Sequence, residues 1–173
     1  TETAILDYTV NKHIQTSMRN RLPNASPHGV YRCLGEEKEV DYCAMPESEL
    51  EHRKKDERWC AIAVFTEDEW KAFCKVIGSP PWTKNRKFAT FSQRKVNEDE
   101  LDHLIEKWTI KRAPEEVMML MQQAGVAAGV VQDGEDLQTR DPQLKERGFY
   151  VYLDHPETGR IAHQPQRRHE IPG

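Results

Sequence analysis

The chain has 173 residues and a formal net charge of −4, with a pI near 6.0 and a mean hydropathy of −0.83. That length suits one domain, or one domain with an appendage, and can bury a real core. The mild acidity gives no electrostatic footprint for nucleic acid, and no apolar run approaches the ~20 residues of a membrane span.

Residues 4–18 predict a helix with Leu6, Val10, Ile14 and Ser17 near one face, and residues 19–29, RNRLPNASPHG, a loop written by prolines, asparagines and a final glycine. Residues 30–34 form a strand ended by Gly35. Residues 36–58 are dominated by charges of mixed sign, which reads as a solvated excursion between two hairpin strands. The alternative is a partner-docking arm carried by Tyr42, Met45 and Leu50.

Residues 59–65 are a short apolar run with Ile62 and Val64 on one face and Ala61, Ala63 and Phe65 on the other, the pattern of a central strand covered on both sides. Thr66 with Glu69 writes a capping box. The helix it opens places Trp70, Phe73, Cys74 and Ile77 on one stripe, and Gly78 supplies the left-handed stop. Residues 79–90 form a loop in which Trp82 and Phe88 plug the core.

Asn97 with Glu100 predicts a second cap, followed by the stripe Leu101, Leu104, Ile105 and Trp108. Pro114 opens a third helix with Val117, Leu120, Met121 and Ala124 inward and Gly125 as its stop. Met118, Met119 and Met121 read as packing rather than as an adaptable groove. Residues 126–132 are a second buried-type strand. Residues 133–137 and 140–144 are turns, and residues 149–153 and 160–163 pair as a hairpin. The sum is an α+β fold, a small mostly antiparallel sheet covered by helices.

Cys33, Cys43, Cys60 and Cys74 show no Cys-x-x-Cys spacing, so they are expected to be free, mostly buried thiols with no metal role, in a cytoplasmic protein. No signal-peptide pattern opens the sequence, and its first residue, Thr1, and polar last ten residues lead us to expect a piece of something longer. Glycine-rich phosphate loops, nucleophile elbows and zinc-protease motifs are absent. His13, His52, His103, His163 and His169 are scattered. His28 and His155 stand beside prolines in turns, where side chains reach ligands, and Asp154 beside His155 carries little weight because adjacent strand residues face opposite ways. The residues by themselves describe a binding or assembly domain without a complete catalytic set.

The runs PHGVYRC (27–33), RWCAIAV (58–64) and EWKAFCKVIG (69–78) resemble the small C-terminal domain of the family III CoA-transferases. That superfamily includes formyl-CoA transferase, the carnitine CoA-transferases (carnitine dehydratase-like proteins) and α-methylacyl-CoA racemase. Further matches follow in order: Pro81-Trp82, residues 86–90, 97–108 and 124–130, then Asp141-Pro142-Gln143-Leu144 with Arg147-Gly148. The resemblance implies that residues 1–173 are one such domain, with 36–58 an insertion and 164–173 a tail leading back to a missing large CoA-binding domain. It implies an enzyme whose aspartate nucleophile, on that large domain, attacks an acyl-CoA thioester and passes CoA to a carboxylic acid acceptor through covalent intermediates.

No catalytic residue is then expected in this chain, Asp7, Asp141 and Asp154 included, and the chain alone is expected to be inactive and to bind no cofactor. The full enzyme is expected to be an interlocked homodimer using a coenzyme A thioester as substrate. Loop residues Asn20, Arg21, Pro27, His28 and Gly29 are the substrate-contact candidates, with Arg21 available to an acceptor carboxylate. Leu22 to Ser26 stand where the family's covering loop is glycine-rich, which resists a tight closing turn. A racemase-type small domain and a non-catalytic interaction module of the same fold remain alternatives.

Overall fold

The computed structural model describes residues 2–12, 14, 18–35, 57–157 and 159–163, which fall into two compact units, Thr1–Val131 and Gln132–Gly173. In the first unit, β1 (His28–Arg32), β2 (Trp59–Ala63) and β3 (Ala127–Val131) form an antiparallel sheet with β2 in the middle. Val30 pairs with Ala61, and Ala61 with Gly129. The β1–β2 ladder runs past the regular strands at both ends, through Ser26 N–H to Val64 O (3.0 Å), Val64 N–H to Pro27 O (2.9 Å) and Cys33 N–H to Arg58 O (2.7 Å). The two strands are hairpin neighbours, as expected. The excursion between them, residues 36–56, and the tail 164–173 lie outside the described residues.

One face of the sheet carries Tyr31, Cys33, Cys60, Ile62 and Val64, all buried in a core with Trp70, Phe73, Ile77, Phe88, Leu101, Ile105, Val117, Met121 and Val126. Those partners come from α2 (Glu67–Val76), the 3-10 turns Pro81–Lys84 and Arg86–Phe88, α4 (Glu98–Thr109) and α5 (Pro114–Gln123). The stripe logic holds because i, i+3, i+4 and i+7 share one helical face. The capping box of α2 forms, with Glu69 N–H on the Thr66 hydroxyl and the Glu69 carboxylate on the Thr66 N–H. Gly78 and Gly125 take φ of 83° and 81° at the ends of α2 and α5, a conformation glycine adopts without Cβ cost. Met121 is core and Met118 packs against it, whereas Met119 is exposed.

Four expectations are corrected. Among the described residues the sheet is covered on one face, not both: the other side of β2, Ala61 and Ala63, stays partly exposed, and Phe65 just beyond it is exposed. An apolar run of small residues looks the same in sequence whether or not something sits on it. β3, expected to be a buried strand, lies at the edge of the three-stranded sheet with Ala127 and Val131 exposed. The Asn97–Glu100 cap does not form, because a short helix the sequence did not suggest, α3 (Phe91–Val96), ends at Asn97. The Asn97 amide therefore donates back to Gln93 O at 2.8 Å, and Glu100 pairs with Lys87 at 2.6 Å. Finally, α1 (Glu2–Asn11) stops short of residue 18, where Lys12 turns to φ 56°. Leu6, Val10 and Ile14 remain exposed.

In the second unit, α6 (Gly134–Thr139) opens with a capping box between Asp133 and Asp136, and α7 (Pro142–Glu146) is capped by Asp141. β4 (Val151–His155) and β5 (Gly159–His163) form the expected hairpin, but as a separate two-stranded sheet.

Candidate functional site

The loop of residues 19–29 is a strap fastened at four points. Its C-terminal part continues the β1–β2 ladder through the cis Ser26–Pro27 peptide, with Ala25, Ser26 and Pro27 all buried. The second fastening is Arg94 on α3, a guanidinium whose side chain is 1% exposed. Its Nε donates to Ser26 O (3.2 Å), Nη1 to Phe88 O (3.3 Å) and Nη2 to Glu67 Oε1 (2.7 Å). The same group stacks 4.6 Å above the Trp70 ring, so one planar fork joins loop, turn and two helices.

The third fastening is Lys95, which donates from Nζ to Leu22 O (2.8 Å) and to Glu98 (2.7 Å). Arg21 is the fourth. Its Nη2 lies 2.7 Å from both Asp99 Oδ1 and Asp102 Oδ2, and its Nε 3.8 Å from Glu98. The hydrogen bonds it donates to Asp99 and then Asp102 hold the guanidinium well above its ordinary pKa, and reciprocally Arg21 holds the Asp99 carboxyl below the usual range. Arg21 is thus engaged by the chain's own carboxylates. Asp102 is shared: Tyr31 Oη donates to its Oδ1 at 2.8 Å. Burial and that neighbouring carboxylate push the Tyr31 phenol well above its ordinary pKa. Gly29 permits this arrangement, since a Cβ there would stand 3.1 Å from Tyr31 Cζ and Oη.

Two concavities meet at this strap. A polar cavity of about 550 Å³ lies between the loop, β1 and the acidic side of α4, where Glu98, Asp102 and Glu106 recur every fourth residue. An apolar trough of about 360 Å³ runs over the uncovered sheet face, floored by Val30, Ala61, Ala63, Ala127 and Gly129. Asn20, His28 and Gly29 line both. Of the five loop candidates, these three therefore share a rim. Pro27 is fully buried, and Arg21 lines the polar cavity but not the trough. His28 Nδ1 is hydrogen-bonded to the Asn20 carbonyl, and its ring meets Phe65 edge-on at 6.3 Å.

Sequence reasoning missed Tyr31, Arg94, Lys95 and Asp102. Only the i, i+4 acids of α4 left a readable trace, as a polar stripe flanking Leu101 and Ile105. Among the described residues no group of three metal-ligating side chains is found, and Asp141, capping Leu144 N–H, is held below the usual carboxylate range by that bond. The site can orient and enclose a ligand; the described residues bring together no nucleophile, base and orienting group.

The model of CoA-transferase family III matches residues 44–172. A probable CoA-transferase of Mycobacterium tuberculosis is 31% identical over 164 residues, 87% of this chain and 18% of that protein. The succinyl-CoA–D-citramalate CoA-transferase of Chloroflexus aurantiacus is 24% identical over 163 residues, 94% of this chain and 35% of its own length. The formyl-CoA:oxalate CoA-transferase of a Bradyrhizobium species is 28% identical over 91 residues, 53% of this chain and 21% of that enzyme. The chain thus spans between 18% and 35% of the length of these relatives. The crystal structure of a CAIB/BAIF family protein from Brucella suis superposes with a TM-score of 0.65 at 19% identity, over 95% of this chain and 40% of that one. The structure of Rv3272 from M. tuberculosis gives 0.57 at 18% identity, over 96% and 44%. At those identities the structures speak to the fold. With three quarters of its residues matched by the family model, the chain belongs to CoA-transferase family III.

Proposed function

We propose that this chain is the small domain of an acyl-CoA:carboxylate CoA-transferase, that residues 19–29 border the acyl-CoA site in the full-length enzyme, and that the chain alone does not transfer CoA. The supporting observation is a pairing of coverage with geometry. The match takes in at most 35% of the relatives considered, while the described residues offer a lined rim without a nucleophile. A CoA transfer of this kind needs a carboxylate or comparable group to accept the acyl carbon and release the thiolate. In this proposal that group, the CoA-binding surface and the dimer contacts belong to the remainder of the enzyme. The CoA-transferase activities of the relatives support transfer over epimerisation of an acyl-CoA.

The test is an assay of CoA transfer from an acyl-CoA donor to a carboxylic acid, run with the purified chain and then with a separately expressed large domain added. The chain alone is expected to give no transfer, and the mixture is expected to restore it. Turnover by the chain alone would overturn the reading. Binding of the two pieces without turnover would favour a non-catalytic module.

A further inference from the structure

The geometry points to Arg21 as a positioning residue that fixes the protonation pattern of His28. A backbone carbonyl can only accept, so the contact between His28 Nδ1 and Asn20 O requires the proton of the neutral imidazole on Nδ1. Nε2 is then a bare acceptor on the rim that both concavities share, and among the described residues it has no protein partner. Free imidazole side chains in water favour the opposite tautomer, so the arrangement has to be imposed.

The imposing contact is one residue away. Asn20 precedes Arg21, whose Nη2 bridges Asp99 and Asp102, and the Arg21 N–H closes a turn onto Met18 O at 3.1 Å. Asp102 is itself steadied by Tyr31 Oη. The chain Tyr31–Asp102–Arg21–Asn20–His28 therefore runs from the buried sheet face to the rim through hydrogen bonds and one peptide link. The consequence is selectivity for a ligand that presents an N–H or O–H donor to Nε2. This last step rests on the proposal that the loop borders the ligand site, whereas the tautomer does not depend on it.

Nitrogen-15 correlation spectra of the imidazole rings in the 173-residue chain, above the pH at which imidazoles are charged, read the tautomer directly. The His28 signal is assigned as the one lost in His28→Gln. The expected result is Nδ1–H for His28 in the wild type, moving toward the ordinary Nε2–H mixture in Arg21→Gln and in Asp102→Asn, and returning toward Nδ1–H in Arg21→Lys. His103, whose Nδ1 meets the Asp99 carbonyl within its own helix at 2.7 Å, serves as an internal control and should not move. Arg21 is 32% exposed and lies on the rim of the fold, so its replacement leaves the core intact, which unchanged core amide shifts will verify. Nε2–H at His28 in the wild type, or no change in Arg21→Gln, would overturn the inference. Either result is obtained whether or not the chain takes part in CoA transfer.

Discussion

Replacing Arg94 by methionine isolates what its guanidinium does, because the apolar stem is kept and only the fork is removed. The buried carbonyls of Ser26 and Phe88 lose the donors seen at 3.2 and 3.3 Å, each worth about 1–3 kcal/mol when left unmade. The stacking on Trp70 at 4.6 Å adds about 1–2 kcal/mol. Against this, a guanidinium no longer has to be taken out of water, and Glu67, whose side chain is 51% exposed, is rehydrated rather than stranded. The net expectation is a loss of about 2–4 kcal/mol. All four tryptophans lie in the unit Thr1–Val131, so tryptophan fluorescence during urea unfolding follows the affected unit alone. With a slope of about 2 kcal/mol per molar urea, the midpoint should fall by about 1–2 M. Arg94→Lys should fall between the two, since an ammonium cannot serve three acceptors in one plane. A midpoint within about 0.3 M of wild type would refute the idea that this residue ties the loop to the helices.

The partner of that arginine gives a pH-dependent prediction. The Arg94 hydrogen bond holds the Glu67 carboxyl below its ordinary 4.5, so the unfolded chain protonates it first. The pair's contribution is fully present above about pH 4.5 and is lost as pH falls through the lower folded value. Because Glu67 is half exposed, the amount is about 1 kcal/mol or less. Glu67→Gln should lower the urea midpoint near neutral pH, and the gap should close as the pH approaches about 3; a gap that persists in acid would contradict the assignment. For the thiols, burial pushes Cys33 and Cys74 up to about 11 and Cys60 up to about 12. Iodoacetamide at mildly alkaline pH should therefore spare all three in the native chain and label them after urea unfolding, as read by peptide mapping. Rapid native labelling of Cys33 or Cys60 would refute their burial.

Local chemistry made much of the fold legible in advance. A threonine, a glutamate three residues on, an apolar stripe and a glycine are sufficient instructions for α2, because each acts within one or two helical turns. Pro114 and Gly125 bracket α5 in the same way. The loop candidates Asn20, His28 and Gly29 came from the resemblance to the family's covering loop, and only His28 was also marked by its place in a proline turn. What the sequence left open depends on contacts at long separation: Arg21 meets Asp102 across 81 residues, Arg94 meets Ser26 across 68, and Tyr31 meets Asp102 across 71. Arg94 in particular reads as one more surface cation on a polar stretch, and only tertiary packing turns it into a buried fork. The open side of the sheet was hidden for a related reason. Small apolar residues satisfy the strand pattern equally well under a helix or in the open, so whether Ala61, Ala63 and Gly129 are covered is decided by what packs there, not by their own identity.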